Sequence, residues 1–532
     1  MILSRAQQKL QRELAYKNNW KRIFSISKEI HKRPITQDRP VVFFNASTRL
    51  EGLSLNAAFS LITSWAIRFS GVPVTHFVCA RSMSHCVLGT NNQDVQSAPP
   101  CRKCIETSRN IYVNQNVHWA EMHIDKTLEQ EIANLSLIEL INFAIKDIPI
   151  GNFVLPSMRW ILRKHNLEDT SQTRYVAQEY IKSAYSIYNE FLGFIQNSQP
   201  QAVVVFNGMF YPEAMARFAA KQHSIPVYTH EVGMLPNSAF FTANDATAYP
   251  VEIENDFELN EEQIKHLNDH LQKRFEGDFV TAGIRFWPEM KEPDVLLQQK
   301  MDAFHHLVPI FTNVVFDTSQ SHANVVFPHM FAWLDRVLDE IKAHPDTLFV
   351  IRAHPDELRP NKESQETVDN WIERHNVEAL PNVIYIRPNE FISSYDLIKK
   401  AKFVLVYNST IGLEASLMGV PVLCAGKARY TQIPTVYFPQ TTEDFSKAFL
   451  KFLSTKRITP PKSFQNNAKR VLYSQLFRAS LPLDEFIESD QIWNGFVRFK
   501  DFSIDELDAE INNTIRVILR GILYKEPFII NQ

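Results

Sequence analysis

Three groups of polar residues stand directly behind apolar runs in the second half of the chain. Arg352 and His354 follow the run Leu348–Ile351, and Pro355 fixes a turn behind them. A guanidinium and an imidazole at a strand end suit a phosphate or diphosphate, the guanidinium in forked geometry. Asn408, Ser409 and Thr410 follow Phe403–Tyr407 and open the helical stretch Ile411–Met418, whose first amides and dipole would favour an anion. Glu414 comes within the first turns of that stretch, where a carboxylate would accept hydrogen bonds from ribose hydroxyls. Taken singly, these are also a surface arginine, a capping imidazole, a capped helix and an acid balancing a dipole. Their order along one series of strands and helices is what suggests a nucleotide site.

A second set lies nearer the N-terminus. Glu51 sits in the loop 46–52 after Val41–Asn45, Asn207 follows Ala202–Phe206, and His230 and Glu231 follow Ile225–Thr229. A carboxylate or imidazole at a strand end could deprotonate a hydroxyl or steady an oxocarbenium-like charge. An inter-domain polar contact is the competing reading for His230 and Glu231, with Glu231 the better catalytic candidate. Asn207 could hydrogen-bond a sugar.

Cys79, Cys86, Cys101 and Cys104 fall within one short region, the last two as a CxxC behind Pro99 and Pro100. Four thiolates suit a tetrahedral structural zinc. The spacing of the first pair is unusual for such a site, and four unligated thiols or a redox pair are the alternatives. No catalytic metal is expected.

These residues need strand ends to hold them, and the chain supplies the rhythm. Val41–Asn45, a helix to Phe69, a stop at Gly71 and Val72–Cys79 make a strand–helix–strand unit, which demands a parallel sheet. Residues from 106 to about 199 read as a helical insertion, after which Ala202–Phe206 and Ile225–Thr229 resume the series. A second series runs through Val308–Phe316, Leu348–Arg352, Val383–Ile386, Phe403–Tyr407 and Val420–Cys424. The expected fold class is therefore α/β, with two doubly wound domains at 34–290 and 291–455. Basic amphipathic helices occupy 1–33, and a helical tail occupies 456–532, expected to pack back across the first domain.

With 532 residues, 45% of them hydrophobic and 22% charged, the chain has material for more than one core. A net charge of −3 argues against nucleic acid as the main ligand. No apolar run reaches bilayer length, no secretory leader is predicted, and five cysteines are too few for a disulfide scaffold. A cytoplasmic protein is expected. The basic 1–33 segment is read as a solvated helix packed on the domain, with attachment to anionic headgroups at the inner face of a membrane as the alternative.

The segment VYNSTIGLEASLMGVPVLCAGKARYTQ, with IRAHPDE before it and FTNVVFD at the domain start, resembles the capsule polysaccharide synthesis family. That family includes Kdo (3-deoxy-manno-octulosonate) transferases and is akin to CMP-sugar sialyltransferases with HP and Ser/Thr motifs. The resemblance extends through VVVFNGMFYPEAMARFAAKQHSIPVYTHEVG and, more loosely, CVLGT…PPCRKC. It implies two Rossmann-like domains in a GT-B-like arrangement, with the acceptor on the first. His354, Pro355, Ser409 and Thr410 would lie at the donor phosphate and Glu414 on the ribose. Lys427 and Tyr430 would close over the sugar. The loop 313–322, with Asn313, Asp317, Ser319 and Gln320, would choose between CMP-, UDP- and GDP-linked donors. The implied activity is transfer of a sugar from a nucleotide-activated donor to a glycan or other surface-polysaccharide acceptor. A sugar-nucleotide 2-epimerase, a polyol-phosphate transferase and a non-catalytic nucleotide-sugar binder are the alternatives.

Overall fold

The computed structural model describes residues 5–46, 52–275, 291–490 and 495–531. Two sheets organise it. The strands β1 (Val41–Asn45), β2 (Val74–Cys79), β3 (Val117–Ala120), β4 (Ala202–Phe206), β5 (Val227–Val232) and β6 (Ser238–Thr242) belong to the first. The strands β7 (His306–Phe311), β8 (Thr347–Arg352), β9 (Val383–Ile386), β10 (Val404–Val406) and β11 (Val422–Cys424) make the second. Three short strands follow in the tail: β12 (Leu481–Pro482), β13 (Ile487–Ser489) and β14 (Val497–Phe499).

The first sheet has the order β12-β6-β5-β4-β1-β2-β3, parallel from β3 through β5, with β6 and β12 added antiparallel. The second is parallel throughout, in the order β11-β10-β7-β8-β9. Runs such as VVFFN and TLFVIR bury both faces, which is why they read as unbroken apolar stretches instead of alternating ones. In each sheet the strand order reverses once, between β1 and β4 and between β7 and β10. Those reversal points open a crevice at the carboxyl ends of the strands, where ligands of such sheets bind.

The stretch expected to be helical from 106 to 199 is helical in its second part, with Ile150–Leu162 and Ser171–Ser198 the longest pieces. It also contains β3, an edge strand of four residues, three of them only half-buried, whose VHWA gives no apolar run to recognise. The helix Glu261–Phe275 lies within the expected first domain, yet it buries Leu267 and Leu271 against Val404, Val406 and Leu413 of the second. The tail does cross to the first domain. β12 pairs with β6, and the helix Asn513–Tyr524 packs in one core with Leu55–Phe69.

The helix Arg5–His31 buries Asn19, Ile23, Ser27 and Ile30, spaced so that they share one face. Ser27 accepts a hydrogen bond from Trp65 Nε1 at 3.1 Å, and Asn19 bonds both Val497 and Phe499 of β14. Its second half is therefore a packed surface helix. Leu10 and Leu14 in its first half are exposed. No helix among the described residues is long and apolar enough to cross a membrane.

Candidate active site between the two sheets

At the second reversal point, Asn313 follows β7 and Asn408 follows β10. The Asn408 amide donates to Asn313 Oδ1 at 3.3 Å, and Gln320 Nε2 donates to Asn408 Oδ1 at 3.3 Å. Ser409 is buried and Thr410 stands at the N-cap of Ile411–Leu417, with no side-chain cap bond among the described residues. The expected hydroxyl capping is not made. His354, behind β8, accepts from the Asp356 amide through Nδ1 at 3.1 Å, which leaves the proton of a neutral ring on Nε2. Burial lowers its pKa, opposed by Asp356, assisted by Arg352 and opposed by Asp317. His354 is thus a neutral donor near the loop 313–322.

Arg352 and Glu414 behave differently from the expectation that both meet the ligand. Arg352 is buried, and its Nη1 donates to Ile392 O and Ser394 Oγ beneath the following loop. Burial pushes its pKa down to about 10, so it stays charged near neutrality. Glu414 is 5% exposed. Its Oε1 accepts from Arg274 Nε at 2.9 Å and Nη2 at 2.7 Å, and its Oε2 from the Tyr395 hydroxyl at 2.7 Å. Both carboxylate oxygens are occupied by protein. Tyr430 is turned inward as well: it is fully buried, with its hydroxyl donating to Ser409 O at 2.8 Å. A Cβ at Gly412 would collide with that hydroxyl, so glycine is what lets the ring pass under the helix.

Across the crevice, the strand β5 puts neighbouring side chains on opposite faces. His230 turns into the core at 1% exposure, its ring 5.9 Å from that of Phe206 and 5.4 Å from that of Phe241. Burial drives its pKa to about 3, so the ring is neutral and packs between Phe206 and Phe241. Glu231 takes the other face and is half-buried. Its Oε1 accepts from Asn207 Nδ2 at 2.9 Å and its Oε2 from the Val232 amide at 3.0 Å. Asn207 follows β4 at the first reversal point and holds φ +58, a left-handed turn that Gly208 continues at φ +83. Glu51 would flank the same point, but it lies outside the described residues.

Tyr249 is where the two sides meet, and no motif marks it. Its hydroxyl donates to Val232 O at 2.7 Å, and the Arg429 guanidinium lies 4.4 Å from its ring centroid. Burial raises its pKa, followed by the nearby charge of Glu231, with Arg429 opposing and Asp317 adding. Glu231 from the first sheet and Arg429 and Asp317 from the second are therefore within electrostatic reach of one group. Thr247 Oγ1 and His322 Nε2 share a hydrogen bond of 2.9 Å across the same seam, and Gln432 bonds Val251 and Tyr249. Lys427 is exposed, close enough to His322 to lower its pKa after burial has done so. Arg429 could have been found from its place in GKARYTQ, two residues beyond Lys427.

On the opposite rim the insertion clasps the second domain. Glu366 accepts from the His165 and Asn166 amides at 2.8 and 2.9 Å and from Asn166 Nδ2 at 2.7 Å. The four clustered cysteines line one small cavity at the end of β2, and no disulfide joins them. Among the described residues no group of three or more His, Cys, Asp or Glu side chains stands ready to hold a metal ion.

Residues 291–474 match the capsule polysaccharide biosynthesis protein family. The match takes in the whole of the second sheet and both of its motifs, and leaves residues 1–290 outside it. No curated protein sequence matches the chain. Among solved structures, the beta Kdo 2,4 transferase KpsC of Thermosulfurimonas dismutans is 12% identical, covering 53% of this chain and 80% of its own, at a TM-score of 0.35. A putative UDP-N-acetylglucosamine 2-epimerase from Listeria monocytogenes is 14% identical, covering 82% and 95%, at 0.25. The UDP-GlcNAc 2-epimerase of Methanocaldococcus jannaschii, solved with UDP-GlcNAc and UDP, is 11% identical, covering 81% and 98%, at 0.27. At such scores the two sheets of this chain decide its fold, and these likenesses decide nothing further.

Proposed function

We propose that this chain is a glycosyltransferase that moves a sugar from a nucleotide-activated donor to a glycan acceptor in the assembly of a surface polysaccharide. The observation that carries the reading is the convergence at Tyr249 of Glu231 from one sheet with Arg429 from the other. A carboxylate facing a cation across a crevice is what transfer from a phosphate leaving group requires. The family match over the second sheet supports it.

In this reading the donor's phosphate lies against Lys427, Arg429 and the Nε2–H of His354, near Asn313, Asn408, Ser409 and Thr410. The acceptor hydroxyl lies over Glu231, which Asn207 and the Val232 amide hold in place. The acceptor oxygen bonds to the anomeric carbon as the bond from that carbon to the phosphate oxygen breaks. The hydroxyl proton passes to Glu231, and the charge left on the nucleotide is met by Lys427 and Arg429. Arg352 and Glu414 act behind this surface, bracing the loop at 392–394 and the helix Glu261–Phe275. The nucleotide sugars concerned are cytoplasmic compounds, and the reading places the chain there, its basic N-terminal helix turned to solvent or to the inner membrane face.

The test is a stabilisation screen against CMP, UDP and GDP, followed by transfer assays with Glu231→Gln. Nucleotide-dependent stabilisation in both proteins, with transfer lost only in the variant, is expected. Full transfer by Glu231→Gln would overturn the assignment. Turnover of UDP-N-acetylglucosamine without an acceptor would replace it with the epimerase reading.

A further inference from the structure

We propose that Cys79, Cys86, Cys101 and Cys104 are the four ligands of a structural zinc ion that ties the 80–104 loop to the end of β2. The four come from three separate pieces of chain: the last residue of β2, the loop behind it, and the first turn of the helix Cys101–Ile111. All four nevertheless line one cavity of about 20 Å³, whose other walls are largely the apolar side chains of Ala46, Met83, Leu88, Pro99 and Ile105. That volume admits one water-sized body. Nothing else in the wall is polar apart from Arg81.

The backbone around the sulfurs is arranged for thiolates. The Ser82 amide donates to Cys79 Sγ at 3.2 Å, three residues along. The Gly89 amide, again three residues along, donates to the Cys86 carbonyl at 3.2 Å. The Ser82 amide, turned onto sulfur, stabilises negative charge there. Cys101 and Cys104 occupy one face of the first helical turn, where the dipole favours an anion. A Cβ at Gly89 would stand 2.8 Å from Cys86 Sγ and 2.9 Å from Pro99 Cβ, so glycine is required for the loop to close on the cysteines.

As placed, the sulfurs do not stand at ligating separation, so binding would draw them inward, to about 2.3 Å from zinc. Four protein sulfurs leave no open position on the ion, so its role is structural. The same loop carries Arg81 and Arg102 onto a groove of about 790 Å³ that Met122 also lines, and the ion would fix the shape of that wall.

The test is metal analysis of the full chain, purified without chelator from zinc-supplemented cells. A single zinc per chain is expected, released to a chromogenic chelator when a mercurial blocks the thiols. Cys101→Ser and Cys104→Ser should lose it, and Cys424→Ser should keep it. Where those variants fail to fold, cobalt reconstitution of the unaltered chain decides, since four thiolates give sulfur-to-cobalt charge-transfer bands and a tetrahedral ligand-field spectrum. Purified protein without bound metal and with all its thiols titratable, or with these cysteines recovered as disulfides, would overturn the proposal.

Discussion

Arg274 and Glu414 form a forked ion pair, 2.7 Å from Nη2 and 2.9 Å from Nε to the same carboxylate oxygen, between the helix Glu261–Phe275 and the helix Ile411–Leu417. Removing one member of a buried pair strands the other, at about 3–5 kcal/mol. Glu414→Ala should therefore lower the denaturation midpoint strongly, while nucleotide binding by the folded fraction survives. Arg274→Ala should do the same more mildly, because the arginine side chain is 24% exposed and the glutamate 7%. A Glu414→Ala protein of unchanged stability that no longer binds nucleotide would restore the glutamate to the ribose.

His230 gives the opposite contrast with its neighbour. Replacing a buried aromatic-sized side chain by alanine costs about 2–5 kcal/mol through lost contacts and the cavity left behind. His230→Ala should thus unfold at lower denaturant, and His230→Phe should recover much of that while keeping transfer activity. Glu231→Gln should leave the midpoint almost unmoved and lower kcat by about a hundredfold or more. Equal loss of kcat in His230→Phe would show that the imidazole takes part in the reaction.

The difference between these two residues marks where the sequence stops informing. Parallel strands are buried on both faces, so β7, β8 and β10 announce themselves as apolar runs, and their ends place Asn313, His354 and Asn408 at one rim. Which of two adjacent polar residues on β5 turns inward depends on register with β4 and β6, and β6 was not recognised. The fates of Arg352 and Glu414 were hidden for a related reason. Their partners Ser394, Ile392 and Arg274 lie 40 to 140 residues away, on elements whose packing no local pattern records. The cysteines were legible as a cluster because composition alone groups them.

Glu357, two residues beyond Pro355, supplies a test by pH. Its carboxyl is fully buried, and its oxygens take only the Val368 amide at 3.2 and 3.3 Å among the described residues. Burial pushes its pKa up to about 8, with the Val368 amide opposing and Asp369 adding. The folded state therefore holds a proton that the unfolded state releases near its ordinary pKa. Stability from this group is complete below the unfolded value and falls as pH rises toward about 8, by roughly 1.4 kcal/mol per unit in between. Urea midpoints at about pH 5 and about pH 8 should fall in the unaltered chain and fall less in Glu357→Gln. Parallel pH dependences would show that the carboxyl is already ionised in the folded protein.

Arg429 and Lys427 carry the electrostatic half of the proposed reaction. The Arg429 guanidinium rests on Tyr249, a contact worth about 0.5–1 kcal/mol at a partly exposed site. Arg429→Ala should weaken nucleotide binding by about tenfold, the loss of one charge-assisted contact, and Lys427→Ala by somewhat less because that side chain is more exposed. Arg429→Lys should recover part of the affinity, since a point charge replaces a fork. Tyr249→Phe keeps the ring and should leave nucleotide affinity unchanged, while loss of its 2.7 Å bond to Val232 loosens the strand end beside Glu231 and lowers kcat. Titration calorimetry with the stabilising nucleotide, run at low and raised salt, separates these effects. Affinity in Arg429→Ala equal to that of the unaltered chain would move the phosphate away from this seam and back toward the end of β8.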